Sequence, residues 1–211
     1  AGILAQTEDL KVFARPPGKP VQRPLSAEDA FGMRNVAQDA KAEYIQGRVK
    51  AERRGSLSRL AALSALGNAI ELSPTFAAAY YRRAKVLARI GRTRSALVDL
   101  KSAIAHCPRF FEAFTERARI LALQGRLADA KRDVAKALTQ RPDYAKALSA
   151  RALIAFHGGD LKAALKDLSM ALALDPWNDE VRAFRRNVSN ALKGPPWQRT
   201  HEEQTEHYVV R

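Results

Sequence analysis

Pro74, Pro108, Pro142 and Pro176 stand at one constant interval of thirty-four positions. No other feature of the chain limits its fold so severely. A period of this length marks a solenoid, in which each unit hides its apolar face only against its neighbours. The prolines are not alone. Gly91, Gly125 and Gly159 keep the same interval, as do Ala96, Ala130 and Ala164. Ala69, Ala103, Ala137 and Ala171 do so too, followed each time by Ile70, Ile104, Leu138 and Leu172.

Within a unit the apolar residues recur at three- and four-residue spacing, the period of a helix buried on one side. Tyr80, Ala84 and Leu87 form one such stripe, Gly91 interrupts it, and Ala96, Leu97, Leu100, Ala103 and Ile104 form a second. The layout returns at Phe114, Ala118 and Leu121, then Ala130, Val134, Ala137 and Leu138. It returns again at Leu148, Ala152 and Ala155, then Ala164, Leu165, Leu168, Ala171 and Leu172. Each unit is therefore expected to be a pair of antiparallel helices, A and B. The chain is 46% hydrophobic, and most of that is Ala and Leu, which enter helices at little entropic cost. Ala84, Ala118 and Ala152 let a partner helix approach, and the glycines permit a tight turn. The prolines are expected to pre-set the backbone where each new helix begins.

These features together resemble the tetratricopeptide repeat family: paired helices in one period, a small residue midway in helix A, Gly at the turn, Ala in helix B and Pro near the unit end. The resemblance implies an all-α superhelix of stacked hairpins with a C-terminal capping helix. Residues 77–110, 111–144 and 145–178 match as three clean units. An irregular first unit matches through Ala62, Leu66, Ala69, Ile70 and Pro74. Its Tyr44, Ala51 and Gly55 fit if two extra residues lie in the turn near Ser56 and Leu57.

Arg83, Arg117 and Arg151 share one position of successive units, and Asp99, Asp133 and Asp167 follow each at a fixed spacing of sixteen. Both rows fall beside helix–helix contacts, where an unpaired charge is costly. Each Arg is expected to bond an Asp, within its unit or in the next, as a structural pair.

The ends differ from the repeats. Residues 1–25 hold Pro16, Pro17, Gly18, Pro20 and Pro24 among basic residues and are expected to form an extended arm. The repeat domain is expected over 26–192, its first part (26–76) opening with Ser26 as N-cap of a long entry helix from about 27 to Arg54. A capping helix is expected over 179–192, with Val181, Phe184 and Val188 inward, and a tail over 193–211 carrying Trp197, Tyr208, Val209 and Val210.

The formal net charge is +14, and residues 77–110 contribute +7 of it, which suits an anionic partner. In the family, helix A lines the concave surface. Carried over by position, that surface would expose Ala78, Tyr81, Lys85 and Arg89, then Glu112, Thr115, Arg119 and Leu123, then Lys146, Ser149, Leu153, Phe156 and His157. Of these, Tyr81, Lys85, Arg89, Arg119, Lys146 and Phe156 are the candidate partner-binding residues. The expected function is a non-catalytic scaffold or adaptor, a subunit of a larger assembly, that holds an acidic or amphipathic peptide or helix. Many family members grip acidic chaperone tails through a two-carboxylate clamp of Lys, Asn and Arg. Thr115 and Glu116 occupy clamp positions here, and only Lys146 and Arg82 resemble parts of it, so that ligand is not expected. The alternative is a structural subunit of a ribonucleoprotein that touches RNA through Arg82, Arg89, Arg92, Arg94 and Lys101.

Catalysis, cofactor and metal find little footing. His106, His157, His201 and His207 have no metal-ligand spacing, and there is no glycine-rich phosphate loop or serine elbow. No small-molecule substrate is expected. No run of eighteen apolar residues exists, so membrane contact would be peripheral at most. Cys107 is the only cysteine, which excludes an intrachain disulfide. The expected location is intracellular, in the cytoplasm or an organelle matrix. The first residue is Ala1 rather than Met, which leaves room for a removed targeting segment.

Overall fold

The computed structural model describes residues 36–53 and 55–193. Every regular element among them is a helix: α1 Gln38–Glu52, α2 Ser56–Leu72, α3 Ala77–Arg89, α4 Thr93–His106, α5 Phe111–Leu123, α6 Leu127–Gln140, α7 Ala145–His157, α8 Leu161–Leu174 and α9 Asp179–Leu192. Consecutive helices pair as hairpins α1–α2, α3–α4, α5–α6 and α7–α8, each hairpin packs on the next, and α9 closes the stack against α8. The result is an α-α superhelix.

The glycines and prolines punctuate it by different means. After α3 the chain closes a Schellman motif, with Gly91 N–H donating to Ala88 O at 3.1 Å and Arg92 N–H to Leu87 O at 2.9 Å. Gly91 takes φ 81°, a conformation that other L-residues reach only with strain, and Gly125 and Gly159 repeat it. The prolines act at the other end. Ser73, Cys107, Arg141 and Asp175 each precede a proline and leave the helix at φ between −137° and −145°. A proline crowds the residue before it out of the helical region. The prolines thus stop helix B; helix A starts three residues later, at Ala77, Phe111, Ala145 and Asp179. Their expected role in opening the new helix is corrected accordingly.

Aromatic residues join the hairpins at that opening. Phe76 and Phe110 take the N-cap positions of α3 and α5 without any side-chain cap, and both are fully buried. Phe76 meets Tyr44 at 5.0 Å between ring centroids, and Phe110 meets Tyr81 at 4.9 Å. Four apolar clusters follow one another along the stack, each uniting one hairpin with the helix A that comes next.

The paired Tyr–Phe contacts correct the register of the first unit. Tyr44 stands where Tyr81 does, but thirty-seven positions earlier, so the first unit carries three inserted residues rather than two. They do not lie between the helices: three residues separate α1 from α2, as three separate α3 from α4. They lengthen helix B: α2 has 17 residues where α4, α6 and α8 have 14. In this register Gly47 replaces Ala84, and a Cβ there would lie 2.6 Å from Cγ of Leu66. The entry helix also differs from expectation. Val36 and Ala37 are not helical, and α1 begins at Gln38. Ser26 and its proposed cap, the arm 1–25 and the tail beyond Lys193 lie outside the described residues.

Candidate functional site: the concave groove

The helix A row faces one side of the stack and the helix B row the other. Among the described residues, a groove of about 520 Å³ is lined by side chains from α3, α5, α7 and α9 and the residue before α9, with none from a B helix. Its cations are Lys85 and Arg89 from α3, Arg119 from α5 and Lys146 from α7. Its carboxylates are Glu116 and Glu180. Leu153, Val181 and Phe184 make an apolar end where α7 meets the cap. The groove therefore has a basic stretch and an oily one.

The charges are held in place. Arg119 Nε donates to Glu116 Oε2 at 3.1 Å, and Arg89 Nη1 to Ala51 O at 3.3 Å. Lys85 Nζ lies 5.7 Å from the centre of the Tyr81 ring. Burial holds the Lys85 ammonium below its ordinary pKa; nearby Lys146, Arg82 and Arg89 add to the effect and Glu116 opposes it. Glu112 lies deeper on α5. Burial raises its pKa, against the pull of Arg141, Lys146 and Arg82, and Oε2 is enclosed with no hydrogen-bond partner among the described residues. An anionic ligand against Lys85 would offset the cost of the partly buried ammonium.

The structure sorts the candidate residues. Lys85, Arg89, Arg119 and Lys146 share the groove. Tyr81 does not offer itself to a partner: it is 7% exposed, packed on Phe110 and capped by Lys85. Burial pushes its hydroxyl far above the usual range. Ala78 is fully buried in the same way. Phe156 packs edge-on against Phe184 at 5.6 Å and supports the apolar end from behind. Both Tyr81 and Phe156 are thus corrected from ligand contacts to packing. Glu180, Val181 and Phe184 were legible only as a cap. Counting one repeat onward from Lys146, Ala147 and Ala150 reaches them and would have placed them in the same row.

The five residues of the RNA patch separate. Arg89 is in the groove, Arg82 beside Glu112, and Arg92 on the α3–α4 turn. Arg94 and Lys101 belong to the outer helix α4, and Lys101 lines a different cleft with Arg117 and Lys136. The five residues therefore do not all line one cleft.

The Arg and Asp rows meet within each hairpin. Arg83 donates two bonds to Asp99, both 2.8 Å; Arg117 bonds Asp133 at 2.6 and 2.7 Å, and Arg151 bonds Asp167 at 2.7 and 2.6 Å. The Asp side chains are buried and saturated by a bidentate fork, so these charges are taken out of play for any ligand. The first hairpin carries Gln46 and Ala65 at the two positions and lacks the pair.

A larger cleft of about 720 Å³ opens on the outer side, between α6 and the hairpin α7–α8. Its walls include Val134, Leu148 and Ile154, core side chains already packed between hairpins. The concave groove has the better claim to a ligand because four cations from three successive A helices line it together. No group of three or more His, Cys, Asp or Glu side chains among the described residues is placed to hold a metal. No described helix is long and apolar enough to cross a membrane.

This architecture defines a helical-repeat solenoid. Its fold is that of the tetratricopeptide repeat proteins, and solved structures agree. A thermophilic TPR protein of Thermus thermophilus, TTC0263, superimposes with a TM-score of 0.61 at 22% identity, over 72% of this chain and 81% of that one. PilF of Pseudomonas aeruginosa gives a TM-score of 0.62 at 18% identity, over 71% of this chain and 67% of that one. The first TPR of Spaghetti (RPAP3), solved with an HSP90 peptide, gives 0.51 at 25% identity, over 56% of this chain and 94% of its own. No family model matches the chain, and no curated protein sequence matches it.

Proposed function

We propose that this chain is a non-catalytic scaffold that holds a protein partner along its concave groove, as a subunit of a larger assembly. The observation that carries the reading is the division of one groove into a basic stretch, Lys85–Arg89–Arg119–Lys146, and an apolar end, Leu153–Val181–Phe184. A segment with acidic side chains at one end and an aliphatic or aromatic one further along would engage both. Two fold neighbours support peptide binding as a use of such a surface: Spaghetti was solved with a peptide, and YrrB is described as having an unusual peptide-binding site. Thr115 and Glu116 still argue against a two-carboxylate clamp. The RNA alternative draws on residues that do not all line one cleft, with Arg89 in the groove and Lys101 in the outer cleft.

The test is a panel of labelled peptides titrated against the full chain by fluorescence anisotropy. A peptide joining an acidic run to an apolar residue should bind. The same composition with the apolar residue removed should bind at least about tenfold more weakly, the value of one buried side chain. Equal binding of both, or preference for basic peptides or for single-stranded RNA, would overturn the reading.

A further inference from the structure

The outer face changes character along the stack. The cleft of about 430 Å³ beside α4 and α6 is lined in part by Lys101, Leu121 and Lys136. One repeat on, Ala135, Ala155 and Met170 take those three places, and the cleft beside α8 opens to about 720 Å³. Shorter and uncharged side chains thus leave a roomier, more apolar cleft at the last hairpin. Met170 on its wall is 40% exposed, and Leu174, one turn further along α8, is 48% exposed. Trp177, in the turn to α9, is 86% exposed. Three residues of extended chain reach about 10 Å, so Trp177 stays beside Leu174. The same three positions hold Lys136, Gln140 and Asp143 one repeat earlier, and Ser102, His106 and Arg109 two repeats earlier. In the first hairpin only Leu72 of the three is apolar. Met, Leu and Trp exposed together beside an apolar cleft are what an interaction surface presents.

We propose that this outer face docks an amphipathic helix of a partner protein, one that carries carboxylates beside its apolar row. Charge selects the partner. The carboxylates of α6, α8 and their flanking turns are each held within the chain. Asp129 is bonded by Arg126 and Arg132, Asp133 by Arg117, and Asp167 by Arg151. Asp143 pairs with Arg141 at 3.6 Å, Asp160 accepts from the Ala163 N–H, and Asp175 accepts from Asn178 Nδ2. Of the remaining cations, Lys136 lies over the Phe114 ring. Lys131 on α6 and Lys162 and Lys166 on α8 are exposed, and no hydrogen bond or ion pair holds them among the described residues. Lys131 lines the cleft, and Lys166 precedes Met170 by one turn of α8. The charge left over on this face is therefore positive, and a partner's carboxylates match it. A helix presents apolar side chains at three- and four-residue spacing, the spacing of Met170 and Leu174. A second copy would bring another chain of net charge +14 against the same lysines.

The experiment uses the full chain with Trp197→Phe, which leaves Trp177 as its one tryptophan. The probe is a synthetic amphipathic peptide of about 20 residues, long enough to hold helical form, with Leu along one face and Glu beside it. Titrating it should move the Trp177 emission to shorter wavelength. Leu174→Ser should weaken that response by about fivefold or more, the worth of a half-exposed leucine. Lys166→Glu, or Lys in place of Glu in the peptide, should weaken it as well. Leu174 and Lys166 are both exposed, so neither change threatens the fold. No shift at saturation, or one that Leu174→Ser leaves intact, would overturn the proposal. So would an emission already at short wavelength in the free chain: loss of it on dilution would assign the face to a second copy, and persistence to another part of this chain. Lys146→Glu in the groove should leave the Trp177 response within about twofold, so this inference and the proposed function fail separately.

Discussion

Arg117 shows how these repeats handle charge. Its fork satisfies both oxygens of Asp133, which is 4% exposed. Arg117→Met would leave a buried carboxylate with no cation. The expected cost is about 3 kcal/mol, at the low end for a broken buried pair because the guanidinium keeps some contact with water. Arg117→Met with Asp133→Leu should recover most of it, since an apolar pair of similar volume needs no desolvation. Urea unfolding checks both. Full cost in the double variant would mean that the pair does more than neutralise itself. Glu112 makes a prediction of opposite sign. Its pKa is raised by burial, so its favourable contribution is complete below the usual glutamate value and is lost as pH rises through the raised one. Glu112→Gln should therefore flatten the pH dependence of stability on the acid side and stabilise the chain at neutral pH. Thermal unfolding from pH 4 to 8 reads this directly, and an unaltered profile would contradict it.

At the scale of elements, the contrast between α1 and the later A helices is instructive. Ala is a better helix former than Gly by about 1 kcal/mol, so Gly47→Ala in an isolated α1 would help. In the hairpin the new Cβ would press on Leu66, which is fully buried, and overpacking of this kind costs about 1–3 kcal/mol. Gly47→Ala is expected to lower the unfolding midpoint in the parent chain, and to lower it much less or not at all in a Leu66→Ala background, where the Cγ it meets is gone. The sequence made the three regular hairpins legible because each row repeats three or four times, so no single residue had to be interpreted alone. The first hairpin was legible only in outline. Tyr44 fits the Tyr80 row or the Tyr81 row equally well on pattern. What decides is the ring contact with Phe76, a tertiary fact that periodicity does not contain. The extra turn of α2 likewise leaves no gap in the apolar pattern to betray it.

For the whole molecule, the same periodicity that reveals the fold blurs the site. Carrying a family's concave positions onto this chain correctly gathered Lys85, Arg89, Arg119 and Lys146 in one groove. It misplaced Tyr81 and Phe156 because an aromatic ring at a groove position can turn inward to pack, and here both do. The charge of residues 77–110 looked like one patch in the sequence, yet a helical hairpin spreads it over an inner helix, a turn and an outer helix. Net charge thus says which sign of partner is attracted, whereas the arrangement of A helices says where it is held.

The most direct measurement compares two charge reversals in the full chain for affinity toward the acidic–apolar peptide. Lys146→Glu changes the groove; Arg132→Glu changes an exposed cation in the outer cleft. The groove account predicts a loss of about tenfold or more for Lys146→Glu, steeper at low salt, and a change under about twofold for Arg132→Glu. Equal losses, or a loss confined to Arg132→Glu, would contradict it and move the binding surface to the helix B side.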